Sequence, residues 1–156
     1  VKLWPLAYYN TLTRRLKQRY PDILLVQLGA SYDRCPPLEN IDMDLVGKTN
    51  LEQIKPILQH ALVHIDGEGG MVHLRHALGG GRSVVLFGPT SSEFFGYSEN
   101  ENLVGGGCDV WCEWALNKWQ EGCLRGSYET PPCMASITPE MVMEAADSII
   151  REEVRA

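Results

Sequence analysis

Residues 62–90 read LVHIDGEGGMVHLRHALGGGRSVVLFGPT and carry the strongest indication of fold in the chain. The apolar runs at 62–66 and 83–87 are typical of strands buried in a parallel sheet. Between them, a glycine-rich turn at 67–70 leads into a helix over about 71–78, which a run of three glycines ends. A strand, a helix and a second strand with such short connections predict a βαβ unit.

The alternation of strands and helices extends towards the amino terminus. Pro5 suits the first turn of a helix that should end near Tyr20, just before a second proline. The apolar run at 23–28 predicts a buried parallel strand, and a further helix is predicted over 51–60. Together with the βαβ unit, these elements predict an α/β fold: one Rossmann-like domain over 1–156, with a parallel sheet flanked by helices.

Two predicted helices begin with capping signals. Asn50, followed three residues later by Gln53, has the pattern of a capping box. Thr138 precedes Pro139, which suits a first helical position, and opens the last helix of the chain. The apolar stripe of that helix is Val142, Ala145, Ala146 and Ile149. Residues 101–135, by contrast, show no clear period and predict an irregular Cys- and Trp-rich segment within the domain.

The composition is that of a globular domain and argues against several functions. Of 156 residues, 44% are hydrophobic and 22% are charged, and the net charge of -6 is unfavourable for binding nucleic-acid phosphates. No apolar run approaches the roughly 20 residues that cross a bilayer, and the opening Lys2-Leu3-Trp4-Pro5 is unlike a signal peptide. We therefore expect a cytoplasmic protein, free or peripheral to the inner membrane. Since the sequence opens without Met, we interpret it as a fragment of a longer chain.

The candidate site lies in the loops that follow the predicted strands, because open parallel sheets bind ligands beyond the carboxyl ends of their strands. At Gly69, Gly70 and Met71, the free N–H groups of a helix start would attract an anion such as a diphosphate. Glu68 is placed to accept hydrogen bonds from sugar or ribose hydroxyls, and Thr90 should lie in the same cleft. Alternatively, these residues form an ordinary strand exit and a tight turn in which Glu68 favours the helix dipole.

Four short motifs stand in order at residues 2–5 (KLWP), 68–78 (EGGMVHLRHAL), 86–90 (LFGPT) and 96–100 (GYSEN). In this order they resemble motifs of glycosyltransferase family 9, the heptosyltransferase-type enzymes. Lys2-Leu3-Trp4-Pro5 resembles the K-x-W-P that opens the first helix of their C-terminal domain. Residues 68–78, EGGMVHLRHAL, resemble the family's D-[ST]-G-x-x-H-L-x-x-A-L. LFGPT at 86–90 is similar to its [LY]-[FY]-G-P-T, and GYSEN at 96–100 to its G-Y-x-x-N.

The resemblance implies a GT-B enzyme, in which two Rossmann-like domains face each other across the active site. This chain would be the donor-binding half, and the acceptor-binding N-terminal domain, with the catalytic base, would be missing. The implied reaction is inverting transfer of a heptose-like sugar, from a donor such as ADP-heptose, to lipopolysaccharide or protein. The isolated chain should bind its donor weakly and be inactive, with no catalytic residue and no redox cofactor of its own. The residues implied in donor binding are Lys2, Thr49, Glu68, Gly69, Gly70, Met71, His73, Thr90 and Asn100.

Some observations leave other interpretations open. Glu68 and Gly69 depart from the family signature, which has Asp and then Ser or Thr, so the identity of the sugar stays open. His73 also fits a packed or exposed helical histidine with no ligand. Two alternative functions are a non-catalytic Rossmann-like module that binds a nucleotide or a protein, and a different GT-B enzyme such as a nucleotide-sugar epimerase.

The irregular segment contains four cysteines, Cys108, Cys112, Cys123 and Cys133. Four thiolates in a tetrahedral set select zinc or iron, so we expect a structural metal that orders this loop. The set resembles the cysteines of family 9 enzymes that modify protein acceptors such as autotransporters. The alternatives are reduced thiols, or two disulfides formed after purification. Nearby tryptophans predict a small local core or, alternatively, a docking surface: Trp111, Trp114 and Trp119.

Overall fold

The computed structural model describes residues 2–31, 36–108, 112, 119–126 and 128–155. Its strands are β1 (Val26–Gln27), β2 (Met43–Asp44), β3 (His64–Gly67), β4 (Ser83–Phe87) and β5 (Glu101–Val104). Its helices are α1 (Leu6–Arg19), α2 (Leu51–His60), α3 (Gly70–Ala77), α4 (Ser92–Phe95), α5 (Pro132–Ala135) and α6 (Pro139–Glu153), with a 3-10 turn at Trp119–Glu121. None of these described helices is both long enough and apolar enough to cross a bilayer.

The strand pairs of the described residues are all parallel. Strand β1 pairs with β2, while β4 pairs with β3 on one side and with β5 on the other. Helix α3 connects β3 to β4, which is the predicted βαβ unit. All five residues of β4 are buried, as expected for a strand covered on both faces. The prediction of a parallel sheet flanked by helices is confirmed.

Both predicted caps are present at the helix starts. The Asn50 side chain accepts a hydrogen bond from the Gln53 amide at 3.0 Å, and the Gln53 side chain accepts one from the Asn50 amide at 2.9 Å. Thr138 Oγ1 accepts from the Met141 amide at 3.4 Å, and Pro139 is the first residue of α6. Each cap satisfies a backbone donor that has no acceptor within its helix.

The main hydrophobic core lies between α1, α6 and the three-stranded sheet. Helix α6 buries the whole predicted stripe of Val142, Ala145, Ala146 and Ile149. Trp4, which precedes α1, is 4% exposed, and its Nε1 donates to the Ile137 carbonyl at 2.7 Å. Its ring also meets Tyr8 and Tyr9 edge-on. The segment before α1 is therefore fixed to the core, and this fixes the backbone of Lys2.

The run at 23–28 is less regular and less buried than predicted. It pairs with β2 only over Val26–Gln27. Ile23 and Leu25 pack against the core, whereas Leu24 between them is 69% exposed. The strand is therefore covered on one face only, whereas its continuous apolar sequence predicted a strand covered on both faces.

Residues 101–104 form β5, although the sequence predicts an irregular segment over 101–135. The strand reads Glu-Asn-Leu-Val and pairs residue by residue with β4, Glu101 lying opposite Val84. Four residues that are half polar and half apolar carry no periodic signal, so this strand is determined by its pairing with β4. The three-stranded sheet is consequently one strand wider than the sequence indicates.

Candidate functional site

The carboxyl ends of β3 and β4 lie side by side, and the candidate site is built around them. Gly67 at the end of β3 lies opposite Leu86 of β4. The backbone of Lys2 passes this edge, since its carbonyl oxygen would lie 3.5 Å from a methyl group added at Gly67. Burial of Trp4 two residues later holds Lys2 in this place.

Lys2 and Glu68 form an ion pair at this edge. Lys2 Nζ donates to the Glu68 carboxylate and, at 3.3 Å, to the Glu68 backbone carbonyl. The Glu68 side chain is 7% exposed and that of Lys2 is 35% exposed. Burial opposes ionisation of Glu68, but the Lys2 ammonium, the nearby Thr90 hydroxyl and His73 together outweigh it and hold the pKa of Glu68 below its ordinary value. At neutral pH the site therefore contains a buried carboxylate and a cation that a dissolved ligand can reach.

His73 connects Glu68 to a tyrosine. Its Nε2 lies 3.4 Å from Glu68 Oε1, and its Nδ1 lies 2.9 Å from the Tyr97 hydroxyl. The Tyr97 ring stacks on His76, with 3.6 Å between ring centres and 13° between the planes. His76 Nδ1 in turn lies 2.5 Å from the Glu99 carboxylate. The predicted site residue His73 thus contacts Glu68 and belongs to a network that extends to the turn after α4.

The start of α3 presents backbone donors. The amides of Gly70 and Met71 have no acceptor within the helix, because an α-helix leaves its first N–H groups unsatisfied. The next two amides, of Val72 and His73, bond to the Gly69 carbonyl at 3.2 and 3.4 Å. Gly70 is exposed, and a methyl group added there would meet no atom of the described residues within 4 Å. The fold does not require glycine at this position, whereas a ligand that approaches the backbone would.

Two of the predicted threonines carry buried hydroxyls with no hydrogen bond among the described residues. Thr90 follows β4 and is 2% exposed; it lies close enough to Glu68 to affect the carboxylate's pKa, but not in hydrogen-bond geometry. Thr49 lies in the loop between β2 and α2. A buried polar atom without a hydrogen bond costs about 1–3 kcal/mol. A ligand that supplied the missing bonds would recover part of this cost.

Asn100 lies at the amino end of β4, opposite the carboxyl end that carries the candidate site. Its side-chain oxygen accepts from the amide of Ser83, the first residue of β4, at 2.8 Å. Strand β4 rises about 13 Å from Ser83 to Phe87, which separates Asn100 from the carboxyl end. The predicted donor-binding residues that the structure gathers at that end are Lys2, Glu68, Gly69, Gly70, Met71, His73 and Thr90; Thr49 lies in the β2–α2 loop, and Asn100 fixes the amino end of β4.

Two residues that support this site, Arg75 and Tyr97, were not predicted from the sequence. Arg75 of α3 is 1% exposed, and burial lowers its pKa. It donates to the backbone carbonyls of Leu58, Ala61, Gly81 and Arg82. Tyr97 belongs to the GYSEN motif, but the motif alone does not indicate which residues Tyr97 contacts. Charged side chains are usually exposed, so no sequence pattern marked Arg75 as buried.

The prediction of a structural metal bound by the four cysteines is wrong. Within the described parts of the chain, no group of three or more His, Cys, Asp or Glu side chains is placed to hold a metal ion. The four cysteines form no disulfide in the described part of the chain, and they line a hollow of about 240 Å³ together with Leu124 and several prolines. Burial raises the pKa of the Cys133 thiol, and the neighbouring cysteines raise it further. The cysteines assigned to the metal were Cys108, Cys112, Cys123 and Cys133; Trp111, Trp114 and the side chain of Trp119 lie outside the described residues.

Comparisons with known proteins point to one family. The sequence model of the family described as glycosyltransferase family 9 (heptosyltransferase) matches residues 1–122. Among solved structures, the chain is similar to the E. coli ADP-heptose LPS heptosyltransferase II, with a TM-score of 0.70 and 19% sequence identity. That match covers 98% of this chain and 43% of the E. coli chain, so this chain spans less than half of that enzyme. No curated protein sequence matches the chain.

Proposed function

Because the chain belongs to glycosyltransferase family 9, the heptosyltransferases, we propose that it is the donor-binding part of an enzyme that transfers a heptose-like sugar from a nucleoside diphosphate. The acceptor in this proposal is lipopolysaccharide or a protein. One observation carries it: the Lys2 ammonium lies beside Glu68, two residues before α3, and near this carboxylate lies the buried hydroxyl of Thr90, which has no hydrogen bond among the described residues. A cation, helix-start amides and an unpaired hydroxyl together suit a ligand with both phosphate and hydroxyl groups.

The phosphate and hydroxyl groups of the donor would meet different residues. Backbone N–H groups at a helix start and an ammonium both favour an anion, so Lys2, Gly70 and Met71 suit the diphosphate. An ionised carboxylate only accepts hydrogen bonds, so Glu68 suits the hydroxyls of the sugar or ribose. The Lys2–Glu68 ion pair keeps the local charge near neutral before the donor binds, and the diphosphate would then compete with Glu68 for the Lys2 ammonium.

In the proposed reaction, this chain stabilises the leaving group. As the bond between the sugar and the diphosphate breaks with inversion, negative charge grows on the phosphate oxygen, and the Lys2 ammonium offsets it. The base that removes the proton of the acceptor would lie on an acceptor-binding domain outside this chain. The chain alone should therefore bind a nucleotide diphosphate and transfer no sugar.

Nucleotide titration of the chain tests this proposal. Isothermal titration calorimetry with ADP, GDP and UDP should give weak binding, with ADP preferred. Lys2→Ala should weaken ADP binding by about tenfold or more, because a charge-assisted hydrogen bond contributes about 1.5–3 kcal/mol. Lys2→Arg, which keeps the cation, should retain more of the affinity than Lys2→Ala.

Lys55→Ala is the matched control, because Lys55 pairs with Glu52 on the surface of α2. It should leave ADP binding unchanged. Thermal unfolding of each variant separates loss of binding from loss of fold, since Lys2→Ala leaves Glu68 without its cation. Absence of binding by all three nucleotides to the folded chain would contradict the donor-binding proposal and favour a partner-binding module.

Gly70→Ala should separate binding from stability. The methyl group has open space in the free protein, so we expect the free energy of unfolding to stay the same or rise by up to about 1 kcal/mol. Cβ atoms of a helix tilt towards its N-terminus, so the methyl group would stand where a phosphate approaches the amides. ADP affinity should fall about tenfold, which corresponds to about 1.4 kcal/mol.

Gly106→Ala is the control for this substitution. Gly106 also has open space around an added methyl group within the described structure, but it lies in the loop after β5. Calorimetry and thermal unfolding of both variants give the comparison. Equal ADP affinity in Gly70→Ala and the unmodified chain would remove the start of α3 from the phosphate site.

A further inference from the structure

Tyr97 belongs to the GYSEN motif, and it has no role in the proposed donor binding. Its hydroxyl lies 2.9 Å from His73 Nδ1, on the side of the imidazole away from Glu68. We propose that Tyr97 is a positioning residue of the donor site, which fixes the His73 ring and its proton so that His73 holds the Glu68 carboxylate in place. This inference rests on the proposed function of the site.

The proton positions follow from the partners of His73. Glu68 is ionised at neutral pH, so its Oε1 can only accept a hydrogen bond. The His73 Nε2 lies 3.4 Å from this oxygen, so we assign the proton to Nε2. In neutral His73 the Nδ1 is then the acceptor, and the Tyr97 hydroxyl donates to it. The resulting chain of contacts runs from Lys2 through Glu68 and His73 to Tyr97.

Tyr97 is itself held firmly enough to position another side chain. Its ring stacks on His76, one turn along α3 from His73, and meets the His73 ring edge-on at 5.6 Å. Its backbone carbonyl accepts from the Asn102 side chain at 2.9 Å and from the Asn100 amide at 3.1 Å. These bonds tie the Tyr97 backbone to β5 and to the turn before it, and the contacts with His76 and His73 hold the ring, so the hydroxyl has a fixed position.

His73 needs such an anchor, because its side chain is 38% exposed. Without the Tyr97 hydroxyl, Nδ1 would bond to water and the ring could turn away from Glu68. The Glu68 carboxylate would keep Lys2 but lose the partner on its other oxygen, and so take up more than one orientation towards a donor hydroxyl. Loss of one such hydrogen bond corresponds to about a three- to tenfold change in an equilibrium constant.

Tyr97→Phe is the test, because it removes the hydroxyl and keeps the ring that stacks on His76. Nitrogen-15 NMR of the histidine side chains reports which ring nitrogen carries the proton, with His73→Gln used to assign the His73 signals. In the unmodified chain we expect a protonated Nε2 and a hydrogen-bonded Nδ1. In Tyr97→Phe the Nδ1 signal should move towards that of a water-exposed nitrogen, while thermal unfolding stays unchanged.

Affinity for a nucleotide sugar gives the second measurement, with ADP-glucose as a commercially available probe. Tyr97→Phe should weaken its binding three- to tenfold, and it should have no further effect in a His73→Gln background, since Tyr97 acts through His73. Tyr128→Phe, at a half-exposed tyrosine, should change neither measurement.

The two measurements fail in different ways. A His73 ring with its proton on Nδ1, or an Nδ1 signal that is the same in Tyr97→Phe, overturns the inference whether or not a nucleotide binds. Unchanged ADP-glucose affinity in Tyr97→Phe also overturns it. If the unmodified chain binds no nucleotide while the nitrogen signals behave as expected, the proposed donor site is contradicted and the Tyr97–His73 hydrogen bond is retained.

Discussion

Arg75→Met should lower the free energy of unfolding by about 3–5 kcal/mol and the melting temperature by roughly 10 °C. Arg75 donates to four backbone carbonyls: to Leu58 and Ala61, the latter at 2.9 Å, and to Arg82 and Gly81, at 3.2 and 3.3 Å. Methionine fills a similar volume but donates no hydrogen bond. Several carbonyls in a closely packed region would lose their donor, and each buried one costs about 1–3 kcal/mol unless water replaces it.

Arg82→Met is the control, at the neighbouring arginine. Arg82 bonds to the Glu99 carbonyl and to the carboxylates of Glu101 and Glu152 at the surface, so its loss should cost about 1 kcal/mol or less. Urea unfolding of both variants at pH 7 gives the two free energies. A change of under 1 kcal/mol in Arg75→Met would mean that water satisfies the carbonyls, and that Arg75 does not hold α2 and α3 together.

Arg75 also bears on the donor site, because it lies on the same helix as His73. Two of its bonds go to the end of α2 and two to the segment between α3 and β4. They fix the last turn of α3 and, because a short helix is rigid, also the direction in which the amides of Gly70 and Met71 point. The helix that presents the site is thus anchored at its far end by a buried cation, one turn and a half from the proposed phosphate contacts.

The parts of the fold that the sequence predicts correctly depend on local signals. The capping box of Asn50 and Gln53 involves neighbours in the chain, as does Thr138 before Pro139, and both helix starts were predicted to the residue. The apolar run of β4 is buried as a whole because both faces are covered. At these positions the local preference and the tertiary environment favour the same structure.

The parts that the sequence does not predict depend on contacts between distant residues. Arg75 and its acceptor Leu58 are far apart in the chain, and nothing in either segment indicates the other. Asn100 stands in a motif beside residues assigned to the donor, but it bonds to Ser83 at the amino end of β4. The spacing of the cysteines suggested a metal, although spacing does not determine whether the side chains are placed to hold one, and among the described residues they are not.

His64 should make the protein lose stability in weak acid. Burial, reinforced by the Arg75 guanidinium, lowers the pKa of His64 from 6.5 to about 4, although Asp66 lies 3.8 Å away. At pH 7 neither the folded nor the unfolded state carries the proton. As the pH falls below 6.5, His64 binds a proton in the unfolded chain, whereas in the folded protein it stays neutral until about pH 4. The free energy of unfolding therefore falls between pH 6.5 and about pH 4. The loss from His64 alone should reach about 3 kcal/mol at pH 4.

The contribution of His64 is the difference between two pH profiles, because several carboxylates with lowered pKa values also lose stabilising charge in acid. Urea unfolding of the unmodified chain and of His64→Gln, at intervals from pH 7 to pH 4, gives that difference. The free energy of unfolding of His64→Gln at pH 7 can differ from that of the unmodified chain, but it should fall less steeply as the pH is lowered to 4. His60→Gln, at an exposed histidine, should follow the unmodified chain. If the profile of His64→Gln runs parallel to that of the unmodified chain, His64 takes up its proton in the folded state without penalty, and its burial beside Arg75 does not exclude the charged form.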